Sequence, residues 1–308
     1  MLPAPVEALR PHQWVKNILV FVPLLFATKA DGAATKSQFF DPASWLAAGL
    51  AFAAFCGAAS AIYLLNDIVD READARHPKK RLRPIASGRL APGTAWLLFV
   101  GVLAASMVLA LLVPGRAPHW RFVPWPAAYF LLNVAYSFKL KRLVVVDCMC
   151  IALGFQIRVQ AGAAAVGIEA SHWLLLCTFF FSLFVAFCKR YEELGRQGEA
   201  AGPTRATMEE YSPAFLSMMI GPLAALSILT YSLYTVSPET VARHGSDRLM
   251  YTVPLVVYGV FRYLYLVYRK EEGGDPARLL FRDVPLVLSG LLYAALVIAL
   301  LRLVPGAG

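Results

Sequence analysis

The sequence predicts an all-α integral membrane protein, one domain over residues 1–308 with nine transmembrane helices. Three observations carry that prediction. Of the residues, 58% are hydrophobic and only 16% charged, with a mean hydropathy of +0.58; ordinary soluble domains have about 45–50% apolar and about 25% charged residues. The apolar residues gather into runs that approach the ~20 residues a helix needs to cross hydrocarbon. Lys and Arg concentrate in alternate connections between those runs. A soluble two-domain enzyme would need more charge to cover its surface. The 21 Gly and 20 Pro spread among apolar runs exclude a coiled coil.

The first span, about 12–27, is the weakest, because Trp14, Lys16 and Asn17 make its entry amphipathic. The second and third, 45–65 and 94–113, contain no charged residue, and the fourth, 122–138, is shorter but equally charge-free. The fifth, 143–162, carries Asp147 and Arg158. The sixth, 173–188, is short; the seventh, 211–237, is long; neither holds a charge. The eighth, 249–268, carries Arg262, and the ninth, 284–301, none. No short basic segment and cleavage signature precedes the first span, so no removable signal peptide is expected.

Cytoplasmic loops are enriched in Lys and Arg. The N-terminal end through Lys16, at the entry of span one, and the loops after spans two, four, six and eight hold 20 of them, against six (Lys29, Lys36, Arg116, Arg121, Arg243, Arg248) in the opposite loops. The N-terminus is therefore expected in the cytoplasm and the C-terminus outside, as in a multi-pass inner-membrane protein. Topology then explains most of the net charge of +9 without nucleic acid. Cys56, Cys148, Cys150, Cys177 and Cys188 lie in or beside apolar runs with no Cys-x-x-Cys or Cys/His cluster, so neither disulfides nor zinc are expected. The five His show no metal-ligand spacing, and Trp14, Trp45, Trp120, Trp125 and Trp173 sit near span ends as an interfacial belt would.

The chemistry concentrates in Tyr63-Leu-Leu-Asn-Asp-Ile-Val-Asp-Arg-Glu-Ala-Asp74, at the cytoplasmic end of span two. On a continuous helix, Asn66, Asp67, Asp70 and Asp74 share one stripe, because residues three and four apart are neighbours. Four oxygen-bearing side chains suit Mg²⁺, which takes one or two carboxylates and completes its shell with water and substrate phosphates. The bland reading is a solvated helix end. The run that follows, Arg76-His-Pro-Lys-Lys-Arg-Leu-Arg83, puts five cations beside the acids. Lys79, Lys80, Arg81 and Arg83 together suit a polyanion, Arg through bidentate and Lys through point contacts; part of the run is also a positive-inside anchor.

Asn66-Asp-x-x-Asp70-x-x-x-Asp74, followed by Arg83-Pro-Ile-x-Ser-Gly88, resembles the first signature of the UbiA superfamily of intramembrane prenyltransferases. The resemblance implies nine helices around a central cavity opening to the cytoplasmic side, with Mg²⁺ held by acidic motifs. Arg10-Pro-His-Gln-Trp-Val-Lys-Asn17, Gln156-Ile-Arg-Val-Gln-Ala-Gly162, Lys189-Arg-Tyr-Glu-Glu-Leu194, Glu210-Tyr-Ser212 and Gly274-Asp-Pro-x(5)-Phe-Arg-Asp283 are similar to its decaprenyl-phosphate phosphoribosyltransferase branch. That branch implies phosphoribosyl diphosphate and a polyprenyl phosphate as substrates. It also implies catalytic Asp67, Asp70 and Asp74, with Lys16, Asn17, Tyr63, the basic run, Arg158, Lys189, Arg190 and Glu193 as substrate contacts. Aromatic prenyltransferases carry a second Asp-rich motif after span six, where this chain has Lys189-Arg190-Tyr191-Glu192-Glu193. Two cations there suit a donor and acceptor that together bring more phosphate charge.

Charges inside spans are costly and usually face a partner or a cavity. Arg158 is expected on a phosphate, Asp147 on a cation or near the metal, and Arg262 either in a site or snorkelling to headgroups. No P-loop, dinucleotide fingerprint or Ser/His/Asp set is present. Two rivals stand beside phosphoribosyl transfer: prenyl transfer from a prenyl diphosphate to an aromatic acceptor, and a non-enzymatic lipid-phosphate carrier. Three aligned Asp argue against the carrier. Nine spans suffice for a self-contained cavity; a homo-oligomer is compatible with the sequence but not required.

Overall fold

The computed structural model describes residues 3–26, 28–31, 34–78, 80–114, 122–195, 210–269 and 282–303. The chain divides into two compact units, Met1–Leu143 with Gly154–Ala170, and Val144–Leu153 with Ser171–Gly308.

In the first unit, α1 (Ala4–Leu9) stops where Arg10 turns into the left-handed region at φ 53° and its N–H bonds back to the Glu7 carbonyl. A 3-10 helix, Pro11–Phe21, and a short α2 (Val22–Phe26) follow. At about 2.0 and 1.5 Å per residue these cover roughly 22 and 7 Å. The expected first span is thus helical in two short pieces. Antiparallel β1 (Thr28–Asp31) and β2 (Ala34–Ser37) then pair, a small departure from the all-α expectation. The segment lies within a polar turn that hydropathy does not read as a strand.

Asp41 caps α3 (Pro42–Val69) by accepting from the Ala43 N–H, and Pro42 sits in the first turn where its missing N–H costs nothing. α3 is lined with buried Ala47, Ala51, Ala54 and Ala58, which let neighbouring backbones approach. α5 (Pro92–Leu112) uses that space: Ser106 Oγ donates to the Ala54 carbonyl at 2.7 Å, and a Cβ added at Gly57 would fall 2.9 Å from the Ser106 Cβ. Between them, α4 (Arg71–Arg76) restarts the helix after Asp70, and Arg89 grips Glu7 through two hydrogen bonds of 2.8 and 3.0 Å. Those bonds hold the Glu7 carboxyl below its usual range. α6 (Pro124–Phe138) contributes Tyr129 to the core around Phe55 and Phe122.

α7 (Val146–Ala165) runs through both units, and its C-terminal part belongs to the first. There Gly162 admits the 3-10 helix: a Cβ on it would lie 2.0 Å from the Val20 carbonyl oxygen. Backbone cannot swing aside as a flexible side chain does. Gly162→Ala is therefore expected to cost about 1–3 kcal/mol or more, read as a lowered unfolding temperature in detergent. An unchanged temperature shows that the 3-10 helix does not pack there.

The second unit holds the first turns of α7, then α8 (His172–Gly195), α9 (Pro213–Val236), α10 (Pro238–His244), a 3-10 turn at Arg248–Thr252, α11 (Val253–Arg269) and α12 (Val284–Ile298). α8 packs along α9, and Phe184, Phe187, Cys188, Leu216, Ile220, Tyr263 and Leu266 form its core. Ser212 and Asp283 cap α9 and α12 by accepting from N–H groups of the first turn.

Seven helices among the described residues are long and apolar enough to cross a membrane: Pro42–Val69, Pro92–Leu112, Val146–Ala165, His172–Gly195, Pro213–Val236, Arg248–Arg269 and Val284–Leu301. They match seven of the nine expected spans. The remaining two are the divided first span and α6, whose 15 residues fall short of a full crossing. Multiple apolar crossings make this a multi-pass membrane protein. All five cysteines are free.

Candidate active site

The acidic stripe does not lie on one unbroken helix. α3 ends at Val69, Asp70 occupies the junction at φ −86° and ψ 6°, and Asp74 belongs to α4. The break leaves two carboxylates converging. Asp67 and Asp74, each only 2% exposed, both accept from Arg83 Nη1, at 3.1 and 2.5 Å. Arg10 Nη2 donates to the same Asp67 oxygen at 2.6 Å, its guanidinium 4.8 Å from the centre of the Tyr63 ring, and Lys80 Nζ lies 3.7 Å from Asp74. Among the described residues the side chains of Asn66 and Asp70 have no hydrogen-bond or ion-pair partner, and both are half-buried.

This donor set fits a hard divalent cation. Two buried carboxylates aim at one position held here by a cationic nitrogen, and an amide and a third carboxylate stand uncommitted beside them. Among the described residues no three His, Cys, Asp or Glu side chains are already gathered as a metal cage. The arrangement is an acid pair covered by arginines. Of the basic run, Arg83 and Lys80 reach the acids and Arg81 is exposed; Lys79 lies outside the described residues.

A second polar group is built on Arg158, which is 6% exposed. Its Nε donates to Asn17 Oδ1 at 2.7 Å, Nη1 to the Gly154 carbonyl at 2.8 Å and Nη2 to the Tyr129 hydroxyl at 2.9 Å. Its guanidinium also lies 4.4 and 5.3 Å from the Tyr129 and Phe155 ring centres. Trp14 is half-buried, and its Nε1 donates to Ser60 Oγ at 3.0 Å.

In the second unit, Asp147 and Arg190 are each 1% exposed and paired, Arg190 Nε to Asp147 Oδ2 at 2.6 Å. The Tyr211 hydroxyl donates to Asp147 Oδ1 at 2.7 Å and accepts from the Val145 N–H at 2.7 Å. Arg190 Nη1 also donates to Glu193, which lies 3.8 Å from Lys189 Nζ. Asp147 thus meets a cation, as expected, and that cation is one of the two read as phosphate contacts. Arg262 forms a bidentate pair with Asp283 at 3.0 and 2.8 Å. Of the 274–283 motif, only Arg282 and Asp283 fall within the described residues.

Sequence reasoning missed Arg10, Tyr129 and Tyr211 as members of these groups. Arg10 opens the motif quoted above, so its signal was present. Tyr211 likewise sits in the quoted Glu210-Tyr-Ser212 motif, whereas Tyr129 is a single aromatic in an apolar span with no pattern to mark it.

The profile of the UbiA prenyltransferase family matches residues 20–284. Similar proteins include the decaprenyl-phosphate phosphoribosyltransferase of Corynebacterium glutamicum, 33% identical over 97% of this chain and 87% of the relative. The enzyme of that name from Mycobacterium tuberculosis is 32% identical over 95% of this chain and 92% of its own. Among solved structures, a UbiA homologue of Archaeoglobus fulgidus bound to GPP and Mg²⁺ superposes with a TM-score of 0.70 at 18% identity, covering 97% of this chain and 99% of the other. Family profile, relatives and fold agree with the acidic signature at the end of α3: the chain is a transferase and belongs to the UbiA prenyltransferase family.

Proposed function

We propose that the protein transfers 5-phosphoribose from phosphoribosyl diphosphate to a polyprenyl phosphate of the decaprenyl type, releasing diphosphate. The observation that carries this reading is the cation cover on the acid pair. Arg10, Arg83 and Lys80 surround Asp67 and Asp74 in a chain about one-third identical to enzymes of that name. The reaction runs on one domain of nine spans around a cavity open to the cytoplasm, with the N-terminus inside and the C-terminus outside.

An acceptor phosphate oxygen forms the new bond to the ribose anomeric carbon, and the bond from that carbon to the diphosphate breaks. Asn66, Asp67, Asp70 and Asp74 would hold Mg²⁺, which supplies positive charge to a leaving diphosphate. Arg10, Arg83, Lys79, Lys80 and Arg81 hold the donor's phosphates and Tyr63 shields them. Lys16, Asn17 and Arg158 orient the acceptor, and Lys189, Arg190 and Glu193 in α8 contact a phosphate of the donor or the acceptor. The acceptor oxygen is already anionic near neutral pH, so no strong general base is needed. The transition state carries cationic character on the sugar, like the allylic cation of prenyl transfer, so one scaffold serves either chemistry.

The alternative is prenyl transfer to an aromatic acceptor, favoured by the prenyl diphosphates in the solved relatives. Offering the purified protein each donor separately decides between them. The expected result is diphosphate release from phosphoribosyl diphosphate that depends on polyprenyl phosphate, with a phosphoribosyl lipid seen by mass. Turnover with a prenyl diphosphate alone overturns the proposal.

A further inference from the structure

We infer that Tyr211 and a strained turn at Val145 are positioning elements for the phosphate contacts of α8, which rests on the proposed role of Lys189, Arg190 and Glu193. Both act through Asp147. Val145 has φ 68°, and the Val146 N–H donates to the Val144 carbonyl at 2.8 Å. These mark a γ-turn of the left-handed kind, a rare and strained conformation near φ of about +75°. In a β-branched residue such an angle is an outlier. The chain has 21 glycines, which adopt positive φ freely, yet none stands here. The Val145 carbonyl accepts from the Met149 N–H at 2.9 Å, so the turn launches α7 and sets its direction. Strain of this kind persists only where the surroundings over-determine it, and it gathers at functional sites.

The surroundings here are Tyr211 and a buried ion pair. The Tyr211 hydroxyl, one residue before the Ser212 cap of α9, accepts from the Val145 N–H at 2.7 Å and donates to Asp147 Oδ1 at 2.7 Å. Asp147 lies two residues past the turn, so the backbone angle at Val145 decides where its carboxylate points. Its other oxygen accepts from Arg190 Nε at 2.6 Å, and Arg190 Nη1 donates in turn to Glu193. Asp147 and Arg190 are each 1% exposed, and a close-packed pair cannot reorient without moving its neighbours. Glu193 and Lys189, with side chains 32% and 35% exposed, form the open end of this series of contacts. Removing the hydroxyl leaves the Val145 N–H and one Asp147 oxygen without that partner in a buried place. The turn then loses the bond that holds it left-handed, and Asp147 loses its aim at Arg190.

Full-length protein in nanodiscs with Mg²⁺ is titrated separately with phosphoribosyl diphosphate, polyprenyl phosphate and the parent polyprenol, well below its unfolding temperature. Tyr211→Phe should bind at least one of the two phosphate ligands about tenfold more weakly, the worth of one charged hydrogen bond. Polyprenol, which lacks the phosphate, should bind as before. A purely structural tyrosine would lower the unfolding temperature and leave the affinities of the folded protein alone. Tyr211→Phe/Val145→Gly should recover most of the lost affinity, because Gly adopts a positive φ without the hydroxyl's help. Unchanged affinity for both phosphate ligands in Tyr211→Phe overturns the inference, as does a double variant that binds no tighter than the single one. Should Tyr211→Phe not fold, amide hydrogen exchange over 144–148 in the wild type decides. Coupling is reciprocal, so a bound phosphate ligand must slow that exchange, and an unchanged rate overturns the inference. Phosphoribosyl transfer with no dependence of affinity on Tyr211 sinks this inference alone. Dependence on Tyr211 with turnover only from a prenyl diphosphate sinks only the proposed reaction.

Discussion

Asp70→Asn should lower turnover about a thousandfold at saturating Mg²⁺ while leaving the protein as stable as wild type. Asp70 has no side-chain partner among the described residues, so nothing structural is broken when its charge is removed. A divalent ion contributes several kcal/mol of transition-state charge stabilisation, and about 4 kcal/mol corresponds to roughly three decades of rate. Asp74→Asn should lose as much activity and some stability too, because Asp74 is buried and holds Arg83 and Lys80. The two variants therefore differ in unfolding temperature but not in activity. Diphosphate release and thermal unfolding of both, measured side by side, test this. Near-normal turnover in both variants removes the stripe as the metal site. Loss of stability in Asp70→Asn shows that its carboxylate has a structural role.

The acidic stripe also shows how far a sequence can be read. Spacing placed Asn66, Asp67, Asp70 and Asp74 together because periodicity is local, and the seven long spans were legible because a charge-free run of apolar residues has few other solutions. The helix break at Asp70 was not legible: it replaces a continuous stripe with two carboxylates meeting on Arg83, a residue sixteen positions from Asp67. The same limit applies to Arg158, whose partners Asn17 and Tyr129 come from distant segments. The first span failed differently. Its residues were read correctly as an amphipathic entry, but hydropathy cannot distinguish a 3-10 helix from an α-helix, and Gly162 gave no sign that it was the socket for Val20. Burial, finally, is invisible in a loop composition. Lys189 and Arg190 are adjacent cations at the end of one span, yet their exposures of 35% and 1% place them in unlike environments.

That difference sets the last expected result, in which adjacent substitutions separate a positioning role from a phosphate contact. Arg190→Ala leaves Asp147 buried without its ion pair, and breaking one side of such a pair costs about 3–5 kcal/mol. Much of the loss should return in Asp147→Asn/Arg190→Met, which removes both charges while the amide introduced at position 147 can still accept from Tyr211, because replacing a whole buried pair with neutral groups is often close to neutral. Lys189 is different: partly exposed and 3.8 Å from Glu193, its ion pair is worth at most about 1 kcal/mol. Lys189→Ala should then fold normally and, where Lys189 meets a phosphate, lose at least about tenfold in catalytic efficiency, as a charged hydrogen bond of about 1.5–3 kcal/mol requires. Unfolding temperatures, with kcat/KM for phosphoribosyl diphosphate against a prenyl diphosphate, read both effects. A Lys189→Ala enzyme with unchanged efficiency makes that lysine an inside anchor only and withdraws the argument from the missing second acidic motif. An Arg190→Ala protein as stable as wild type shows that the Asp147 pair does not hold the start of α7 to α8.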